Sequence, residues 1–432
     1  MRTIDRKRFC WALAFLLVAM PVKANDKIMP SRIGDGLGVC VKWERTTPEE
    51  LDQIKAAGFG IVRFDMRWEE VEKTQGVYNW KAFDRFIALL HDRRLRGMAI
   101  LQGENEAYTK KVALPPSSGL GKLRLPAAPV SAKEVEAFAK FAATAAARYA
   151  GKDILWEIWN EPDVALFWPP KPDAKAFANL ASATCQAMRE TVPQATIIGP
   201  GLAHLPGQLD KVRPGFVGTL LSSPAASCFN ALSVHPYRQN DETPETAQGD
   251  YERLRAFISA YTSPPDKPLP VISSEWGYTT LKISAEQQAA YALRTHFINL
   301  LNGVPVSIWY EWRDTDMAED DSESHYGLLT KKGEKKLSIE AVKDFLPSIR
   351  EATFEQRIFS TSEDDYFLLL RQPDKKYVLV YWTAIPQSSG ERWLDLSVDS
   401  VNQKQRLLAR PQLLFLGLSK PKISVVEVRA GQ

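Results

Sequence analysis

The stretch ILWEIWNEPD, residues 154–163, begins as an apolar run and ends in acids, an amide and a proline. A short apolar run bounded in this way predicts a buried β-strand. The segment that follows, DAKAFANLASATCQAMRETV at residues 173–192, is predicted to be a helix. Together they form one strand–helix unit, the repeat from which α/β folds are built.

The same unit recurs along the chain from residue 36 to residue 349. Eight units predict an α/β fold of the (β/α)8 TIM barrel type, in which parallel strands close on themselves. An open, doubly wound sheet is the alternative, but it would usually have fewer strands, and no glycine-rich phosphate loop follows the first strand. The predicted strands, first to eighth, are 36–41, 61–68, 98–103, 154–161, 195–201, 231–237, 270–278 and 305–312.

The character of the sequence changes after Ile349. Strands split by polar turns, with no long helix, predict a C-terminal antiparallel β-sandwich over residues 350–432. We expect this domain to be structural rather than sugar-binding, and to pack against a catalytic barrel formed by residues 30–349. No low-complexity linker separates the two parts, so a fixed interface is expected.

Residues 1–24 resemble a secretory signal peptide. Basic residues precede the apolar run FCWALAFLLVAM, and Val22 and Ala24 occupy the positions that a signal peptidase reads, so cleavage is expected after Ala24. An uncleaved membrane anchor is the alternative, but the run is short for a bilayer span. The protein is therefore predicted to be exported, either periplasmic or secreted.

The net charge of the chain comes mainly from this leader. Residues 1–24 contain five basic residues and one acid, so the remaining residues have a net charge of −1 although the whole chain has +3. That balance removes the main argument for a nucleic acid or an acidic membrane surface as partner. We expect a monomer with no stable membrane insertion after signal cleavage.

Three cysteines follow the leader: Cys40, Cys185 and Cys228. An oxidising export route favours one disulfide, and Cys185–Cys228 is the expected pair because both residues fall near adjacent predicted helices. Three buried, unpaired thiols are the alternative. No cysteine–histidine cluster has zinc spacing, and we expect neither a metal nor an organic cofactor.

Polar and aromatic residues collect at the carboxyl ends of the predicted strands. Barrel enzymes build their active sites at this end, so we predict the site there. In chain order these residues are Arg63, Asp65, Trp68, Gln102, Glu104, Asn105, Asn160, Glu161, His235, Tyr237, Glu275, Trp276, Trp309, Trp312, Arg313 and Asp314.

The fourth predicted strand carries two glutamates. Because side chains alternate between the faces of a strand, Glu157, Trp159 and Glu161 are predicted to share the face that points into the barrel. Glu161 is then at the mouth and Glu157 about 7 Å deeper. A buried carboxylate requires a partner, and Arg63 on the second strand is the candidate. We assign a functional role to Glu161 and a structural one to Glu157.

Glu275 ends the apolar seventh strand and is predicted to face Glu161 across the barrel mouth. Two opposed carboxylates suit glycoside hydrolysis, in which one acid protonates the leaving oxygen and the other attacks or stabilises the anomeric carbon. Nearby tryptophans and tyrosines would supply flat apolar faces for sugar rings. The alternative is that the two acids are unrelated ion-pair partners.

The motifs around these acids resemble those of clan A retaining glycoside hydrolases, whose two acids end the fourth and seventh barrel strands. Residues 157–163, EIWNEPD, followed by LFWPP, are most similar to glycoside hydrolase family 39. So is the run RFDMRWEEVEKTQGVYNW at residues 63–80. Within that group the chain looks closest to secreted bacterial enzymes that cut exopolysaccharide. The resemblance covers residues 36–349 well and the tail in outline.

The resemblance implies a role for each matching residue. Glu161 corresponds to the general acid/base and Glu275 to the nucleophile, while Asn160 would hydrogen-bond the sugar 2-hydroxyl. The supporting residues that it implies are Arg63 beside Glu275, His235 and Tyr237 beside the two acids, and Trp309 under the cleaved sugar.

Further substrate-binding candidates are assigned by their position. Trp276, Glu104 and Trp168 are placed near the predicted site and complete the set. Trp43 and Tyr108 are additional candidate platforms for sugar rings. Trp168, Trp43 and Tyr108 are equally candidates for packing residues in the core.

These residues predict a retaining hydrolase that acts on a polysaccharide or oligosaccharide by double displacement, with endo-acting cleavage of a bacterial exopolysaccharide preferred. The alternatives are an exo-acting, β-xylosidase-like enzyme and a non-catalytic polysaccharide-binding or secretion protein on the same fold. Retention requires the carboxyl groups to lie about 5 to 5.5 Å apart. Related barrels often have a cis bond after the tryptophan of the eighth strand, so we also expect one between Trp309 and Tyr310.

Overall fold

The structure, a computed structural model, describes residues 28–116, 123–205, 214–238, 242–261, 269–315, 318, 320–386 and 392–430. The predicted signal peptide, residues 1–24, lies outside the described residues. Within the described ranges, no helix combines the length and the apolar character needed to cross a bilayer.

Eight parallel strands close into a barrel, which confirms the predicted (β/α)8 fold and excludes the open sheet. The first strand pairs with both the second and the last, so no edge is left open. A short hairpin, β4 with β5, lies in the long segment between the third and fourth barrel strands. In chain order the strands are β1 (Leu37–Cys40), β2 (Ile61–Arg67), β3 (Arg96–Gln102), β4 (Lys111–Ala113), β5 (Arg124–Pro126), β6 (Leu155–Ile158), β7 (Thr196–Leu202), β8 (Ala231–Val234), β9 (Val271–Trp276) and β10 (Ser307–Trp309).

Helices between the strands form the outer layer. Three of them begin with a capping box, in which Thr47, Ser131 or Ser284 exchanges hydrogen bonds with the residue three positions later. These local signals fix where the helices start. The helices are α1 (Ile33–Gly36), α2 (Pro48–Ala56), α3 (Trp68–Val71), α4 (Lys81–Asp92), α5 (Ala132–Arg148), α6 (Ala174–Thr191), α7 (Pro214–Leu221), α8 (Pro224–Cys228), α9 (Ala247–Tyr261), α10 (Ala285–Leu301) and α11 (Leu337–Phe345).

The barrel interior has an apolar layer and a polar layer. Ile61 of β2 and Leu155 of β6 belong to an aliphatic cluster towards the amino ends of the strands. Two residues further along each strand, the same face carries Arg63 and Glu157, both buried. The polar layer therefore lies directly beneath the carboxyl ends of the strands, where the site was predicted.

The C-terminal strands form two antiparallel sheets, which confirms the predicted sandwich. One sheet has the order β11–β12–β13–β16 and the other β15–β14–β17, and apolar side chains such as Phe367 and Leu394 form the core between them. The strands are β11 (Thr353–Ile358), β12 (Asp365–Arg371), β13 (Tyr377–Thr383), β14 (Arg392–Val398), β15 (Val401–Leu407), β16 (Gln412–Phe415) and β17 (Ile423–Ala430).

The sandwich contacts the barrel through Trp382 of β13, which is fully buried. Its ring centroid lies 5.8 Å from that of Phe297 in α10. Its indole Nε1 donates to Glu245 Oε1 at 2.8 Å, and Glu245 also forms a buried ion pair with Arg294. The contact combines an apolar surface with a charged pair, as expected for a fixed interface.

The structure joins Cys185 of α6 to Cys228 of α8, which confirms the predicted disulfide. The two Cα atoms lie 6.2 Å apart and the residues are 43 positions apart in the chain. Cys40 is a free, buried thiol. The alternative of three unpaired thiols is therefore wrong.

Replacing both bridged residues, Cys185→Ser with Cys228→Ser, is expected to lower the free energy of unfolding by about 2–4 kcal/mol. The bridge restricts the unfolded chain, and native bridges of this loop size typically contribute that amount. Urea unfolding of the variant and the parent measures the difference. Adding reductant should move the parent towards the variant and leave the variant unchanged; a parent insensitive to reduction would contradict the prediction.

Candidate active site

Arg63 of β2 lies at the centre of the polar layer and joins the two predicted acids. Its Nε donates to Glu157 Oε2 at 2.8 Å, one terminal nitrogen donates to Glu275 Oε2 at 2.6 Å, and the other donates to Asn160 Oδ1 at 2.9 Å. The predicted contacts of Arg63 with Glu157 and with Glu275 are both present. The side chain of Glu157 is wholly buried, which fits the structural role assigned to it.

The residues after β6 leave the strand conformation, and the prediction that Trp159 shares the inward face is wrong. Trp159 and Glu161 have positive φ angles of 72° and 43°, a left-handed conformation that non-glycine residues adopt rarely and mostly at functional sites. The turn directs Trp159 towards the helices, where its ring lies 5.3 Å from Phe138 of α5. Glu161 is directed to the barrel mouth instead.

A β-bulge directs Glu275 towards the mouth. Ser307 of β10 pairs with Ser273, whereas Trp309 pairs with Trp276, so β9 contains one extra residue between these two pairs. A bulge turns a side chain away from the regular alternation of a strand, and bulges are common beside active sites. The extra residue brings Glu275 into contact with the guanidinium of the polar layer.

Each acid has its own hydrogen-bond partner. His235 Nδ1 lies 2.7 Å from Glu161 Oε1, and the Tyr237 hydroxyl donates to Glu275 Oε1 at 2.8 Å. One carboxylate oxygen of Glu161 and one of Glu275 lie within 4.8 Å of each other. That spacing fits the retaining arrangement and is too short for the inverting one, which needs about 6.5–9.5 Å to admit a water.

The two acids have pKa shifts of opposite direction. Burial raises the pKa of Glu161, although the hydrogen bond and the charge of His235 oppose that shift. Burial would also raise the pKa of Glu275, but the positive charges of His235 and Arg63 and the hydrogen bond from Tyr237 outweigh it and lower this pKa. One acid is thus suited to carry a proton and the other to remain ionised, the division that glycosidases use.

The dependence of kcat/KM on pH should be bell-shaped, with its limbs set by these two acids. Glu275 must be ionised, so activity falls as the pH drops through its lowered pKa. Glu161 must be protonated, so activity falls as the pH rises through its raised pKa. In Glu161→Gln the alkaline limb should vanish on aryl glycosides that need no protonation. An alkaline limb that persists in this variant would assign it to another group.

The acids open into a cleft of about 470 Å³ at the carboxyl end of the barrel. Tyr310 and Tyr326 line it, their ring centroids lie 5.6 Å apart, and Tyr237 packs against Tyr326 at 5.9 Å. The wall therefore presents aromatic faces to a sugar. Other lining side chains are those of Lys42, Arg63, Asp65, Arg67, Gln102, Asn160, Leu166, Phe167 and Glu323.

The tryptophans predicted to bind substrate lie in packed positions instead. Trp309, Trp276 and Trp168 are each 1% exposed and are not among the described residues that line the cleft. The ring of Trp168 lies between those of Trp159 and Phe177, at centroid distances of 5.1 Å and 5.3 Å. These contacts match the packing interpretation of Trp168.

The other candidates from the sequence also lie outside this lining. Glu104 is half-buried and does not appear among the described residues around the cleft; burial raises its pKa to about 7. Trp43 packs 4.5 Å from Phe83 in the helical layer, measured between ring centroids, and Tyr108 stacks on Trp68 at 4.7 Å. Their ring contacts favour the packing role for both.

Tyr310, the residue after Trp309, contributes its ring to the lining of the cleft. The non-proline cis bond likewise joins Tyr310 to Glu311, so the prediction of a cis bond between Trp309 and Tyr310 is wrong by one position. Val306 and Ile308 of β10 belong to the inner aliphatic cluster, and Tyr310 packs against it. The alternation along this strand was the signal that could have identified Tyr310.

Lys42 and Glu323 were missed, and both contact the Tyr310 hydroxyl. Lys42 Nζ lies 3.4 Å from that oxygen, and the hydroxyl donates to Glu323 Oε2 at 3.1 Å. Glu323 belongs to the acidic segment after β10, which reads in sequence as a solvated loop. Only the fold shows that a short 3-10 helix, Ser322–His325, brings this acid to the cleft.

Glu161, His235 and Glu275 are also a geometrically possible set of metal ligands. Their ligand atoms, however, already have hydrogen-bond partners within the protein, and the guanidinium of Arg63 lies 2.6 Å from Glu275. A neighbouring cation disfavours a metal ion. The arrangement fits a proton-transferring site better than a metal centre.

A (β/α)8 barrel with paired carboxylates at the ends of its fourth and seventh strands is the active-site architecture of a glycoside hydrolase. The chain belongs to the family described as "Cellulase (glycosyl hydrolase family 5)", whose model matches residues 30–314. It is a clan A glycoside hydrolase, and its substrate is a carbohydrate. No curated protein gives a significant match to the chain.

Solved structures of glycoside hydrolases share the fold. A family 39 glycoside hydrolase from Bacteroides cellulosilyticus WH2 is 21% identical, with a TM-score of 0.71 over 91% of this chain and 82% of the other. A glucosidase from Croceicoccus marinus is 16% identical, with a TM-score of 0.59 over 88% and 82% of the two chains. A family 30 endoxylanase from Clostridium papyrosolvens is 12% identical, with a TM-score of 0.58 over 90% and 95%. The predicted resemblance to family 39 within clan A is confirmed.

Proposed function

We propose that the protein is an exported, endo-acting hydrolase of a bacterial exopolysaccharide that retains anomeric configuration. The observation that carries the chemistry is the close pair of Glu161 and Glu275, whose oxygens lie within 4.8 Å and whose pKa values shift in opposite directions. This reaction would explain why two acids with different pKa shifts are brought together at the polar mouth of the barrel.

Each residue has a step in the proposed reaction. Glu275 attacks the anomeric carbon while Glu161 donates its proton to the leaving oxygen. Water then hydrolyses the glycosyl-enzyme, with Glu161 acting as base. Arg63 and Tyr237 keep the nucleophile ionised and oriented, and Asn160 is placed to bond the sugar 2-hydroxyl.

Two features support a polymeric substrate outside the cytoplasm. The long segment between β3 and β6 forms the hairpin β4–β5, which adds surface to the end of the barrel that carries the cleft. The disulfide between Cys185 and Cys228 is of the kind that persists in oxidising compartments. Together with the predicted signal peptide, the bridge supports export.

A screen on purified exopolysaccharides tests the proposal. We expect a rapid fall in viscosity, release of reducing ends and products of several sizes by mass analysis, because endo cleavage cuts within the chain. The matched control is Glu275→Gln, which should release nothing. Release of single sugars from xylosides alone would favour the exo-acting alternative, and binding without release would favour the non-catalytic one.

A further inference from the structure

Two buried serines interrupt the barrel interior beneath the acids. Ser233 of β8 and Ser274 of β9 are each fully buried. Ala231 and Ile272, two residues earlier on the same strands, belong to the aliphatic cluster. A hydroxyl in such a place is unfavourable unless it is hydrogen-bonded, so its partners indicate why it is there.

The serines extend a hydrogen-bonded chain that starts at the acid/base. The Ser233 hydroxyl donates to Ser274 Oγ, which lies 3.0 Å from His235 Nε2. The other ring nitrogen, Nδ1, lies 2.7 Å from Glu161 Oε1. Ser274 therefore contacts the imidazole nitrogen that Glu161 does not use.

The imidazole cannot turn away from these partners. His235 is fully buried, and a Cβ atom at position 201 would overlap its Nε2, so only glycine fits there. A register shift in β7 between Ile198 and Gly201 produces this close approach. With the ring fixed, the rotatable hydroxyl of Ser274 is the group that can adjust.

The two chemical steps need different protonation states of Glu161. When Glu161 is a carboxylate, Nδ1–H donates to it and Nε2 can accept a hydrogen bond from the Ser274 hydroxyl. When the ring carries both protons, Nε2–H donates to Ser274 Oγ, whose remaining lone pair is free to accept. A hydroxyl can do both because it is a donor and an acceptor.

We propose that Ser274, held by Ser233, is a positioning residue that sets the protonated nitrogen of His235 and thereby the protonation of Glu161 during the two steps. This inference rests on the proposed function. The charged groups that face the imidazole are Glu161, Glu275 and Arg63, whose terminal nitrogen lies 3.4 Å from Nε2. None of them can both donate to and accept from Nε2 in turn.

The kinetic test is Ser274→Ala, with Ser273→Ala as the matched control. Ser273 is equally buried on the same strand, and the alternation of β9 turns it towards the helices. Loss of the acceptor destabilises the doubly protonated ring most, because hydrogen bonds to charged groups are the stronger ones. The positive charge of His235 lowers the pKa of Glu161, so losing that charge should raise this pKa. In Ser274→Ala alone we expect kcat/KM to fall about tenfold and its alkaline limb to move about one pH unit higher.

Two further variants keep the test decisive if Ser274→Ala folds poorly. Ser274→Thr retains the hydroxyl and should restore the alkaline limb to its original pH. Ser233→Ala leaves Ser274 in place but removes its donor, and should move the limb in the same direction by less. If the alkaline limb of kcat/KM lies at the same pH in the parent and in all the serine variants, the proposal is overturned.

A spectroscopic measurement tests the inference without any substrate. Nitrogen-15 chemical shifts of selectively labelled histidine report which ring nitrogen is protonated, and His235→Gln identifies the signals. We expect the His235 signals to change in Ser274→Ala and not in Ser273→Ala. Unchanged signals overturn the proposal. Changed signals in a protein that cleaves no glycan would sustain the control of the imidazole by Ser274 while refuting the proposed function.

Discussion

Glu275→Gln is expected to lose the first chemical step on every substrate, by several powers of ten. Its carboxylate is the one placed to attack, and the amide that replaces it is not a nucleophile. Glu161→Gln should behave differently. On aryl glycosides whose leaving groups need no protonation, the glycosyl-enzyme should form and then hydrolyse slowly, because the base is missing.

Azide separates the two variants further. It attacks without a general base, so it should restore turnover in Glu161→Gln and have no effect in Glu275→Gln. The measurement is a kinetic series against leaving-group pKa for each variant, with and without azide. Near-normal first-step rates in Glu275→Gln, or a Glu161→Gln variant equally inactive on every leaving group, would reverse or remove the assignment of roles.

Arg63→Met is expected to damage both folding and catalysis, because one guanidinium serves Glu157 and Glu275 at once. Leaving Glu157 buried without its cation should lower the free energy of unfolding by about 3–5 kcal/mol. Glu275 loses its nearest fixed positive charge, so its pKa rises and the acidic limb of kcat/KM moves to higher pH.

A double variant separates these effects. In Arg63→Met with Glu157→Gln no carboxylate is left unpaired in the deep layer, so much of the stability should return while activity remains low. Arg148→Met is the control: it breaks the ion pair with Asp84, a surface pair, and should cost at most about 1 kcal/mol. Equal losses of stability in the single and double variants would show that Glu157 does not require Arg63.

The sequence was sufficient for the barrel and for both acids. The strand–helix repeat follows from local hydrophobic patterns, and polar residues at strand ends are visible because they interrupt apolar runs. Glu161 and Glu275 could be found for that reason. The contact of Arg63 with Glu157 could be predicted because a buried carboxylate without a partner is unfavourable.

The errors come from positions where tertiary contacts override the alternation of a strand. The left-handed turn at Trp159 and Glu161 and the bulge in β9 leave no local mark in the sequence. On β10 the alternation does hold, and it places Tyr310 on the inward face with Val306 and Ile308. The prediction of Trp309 as the residue under the sugar did not follow that alternation. Glu323 reaches the cleft from a short 3-10 helix after β10, and the position of this helix cannot be predicted from a periodic sequence pattern.

The contact made by Trp382 has a practical consequence for anyone shortening the gene. A chain that ends at Ile349 would expose Phe297 to solvent and create an aggregation-prone apolar surface. Glu245 would also lose the hydrogen bond from the indole, which would weaken its ion pair with Arg294. The sandwich thus covers part of the helical layer of the barrel and is required to keep that surface buried. A shorter enzyme would therefore need polar substitutions on the barrel surface that Trp382 covers, because deletion of the sandwich alone leaves that apolar surface exposed.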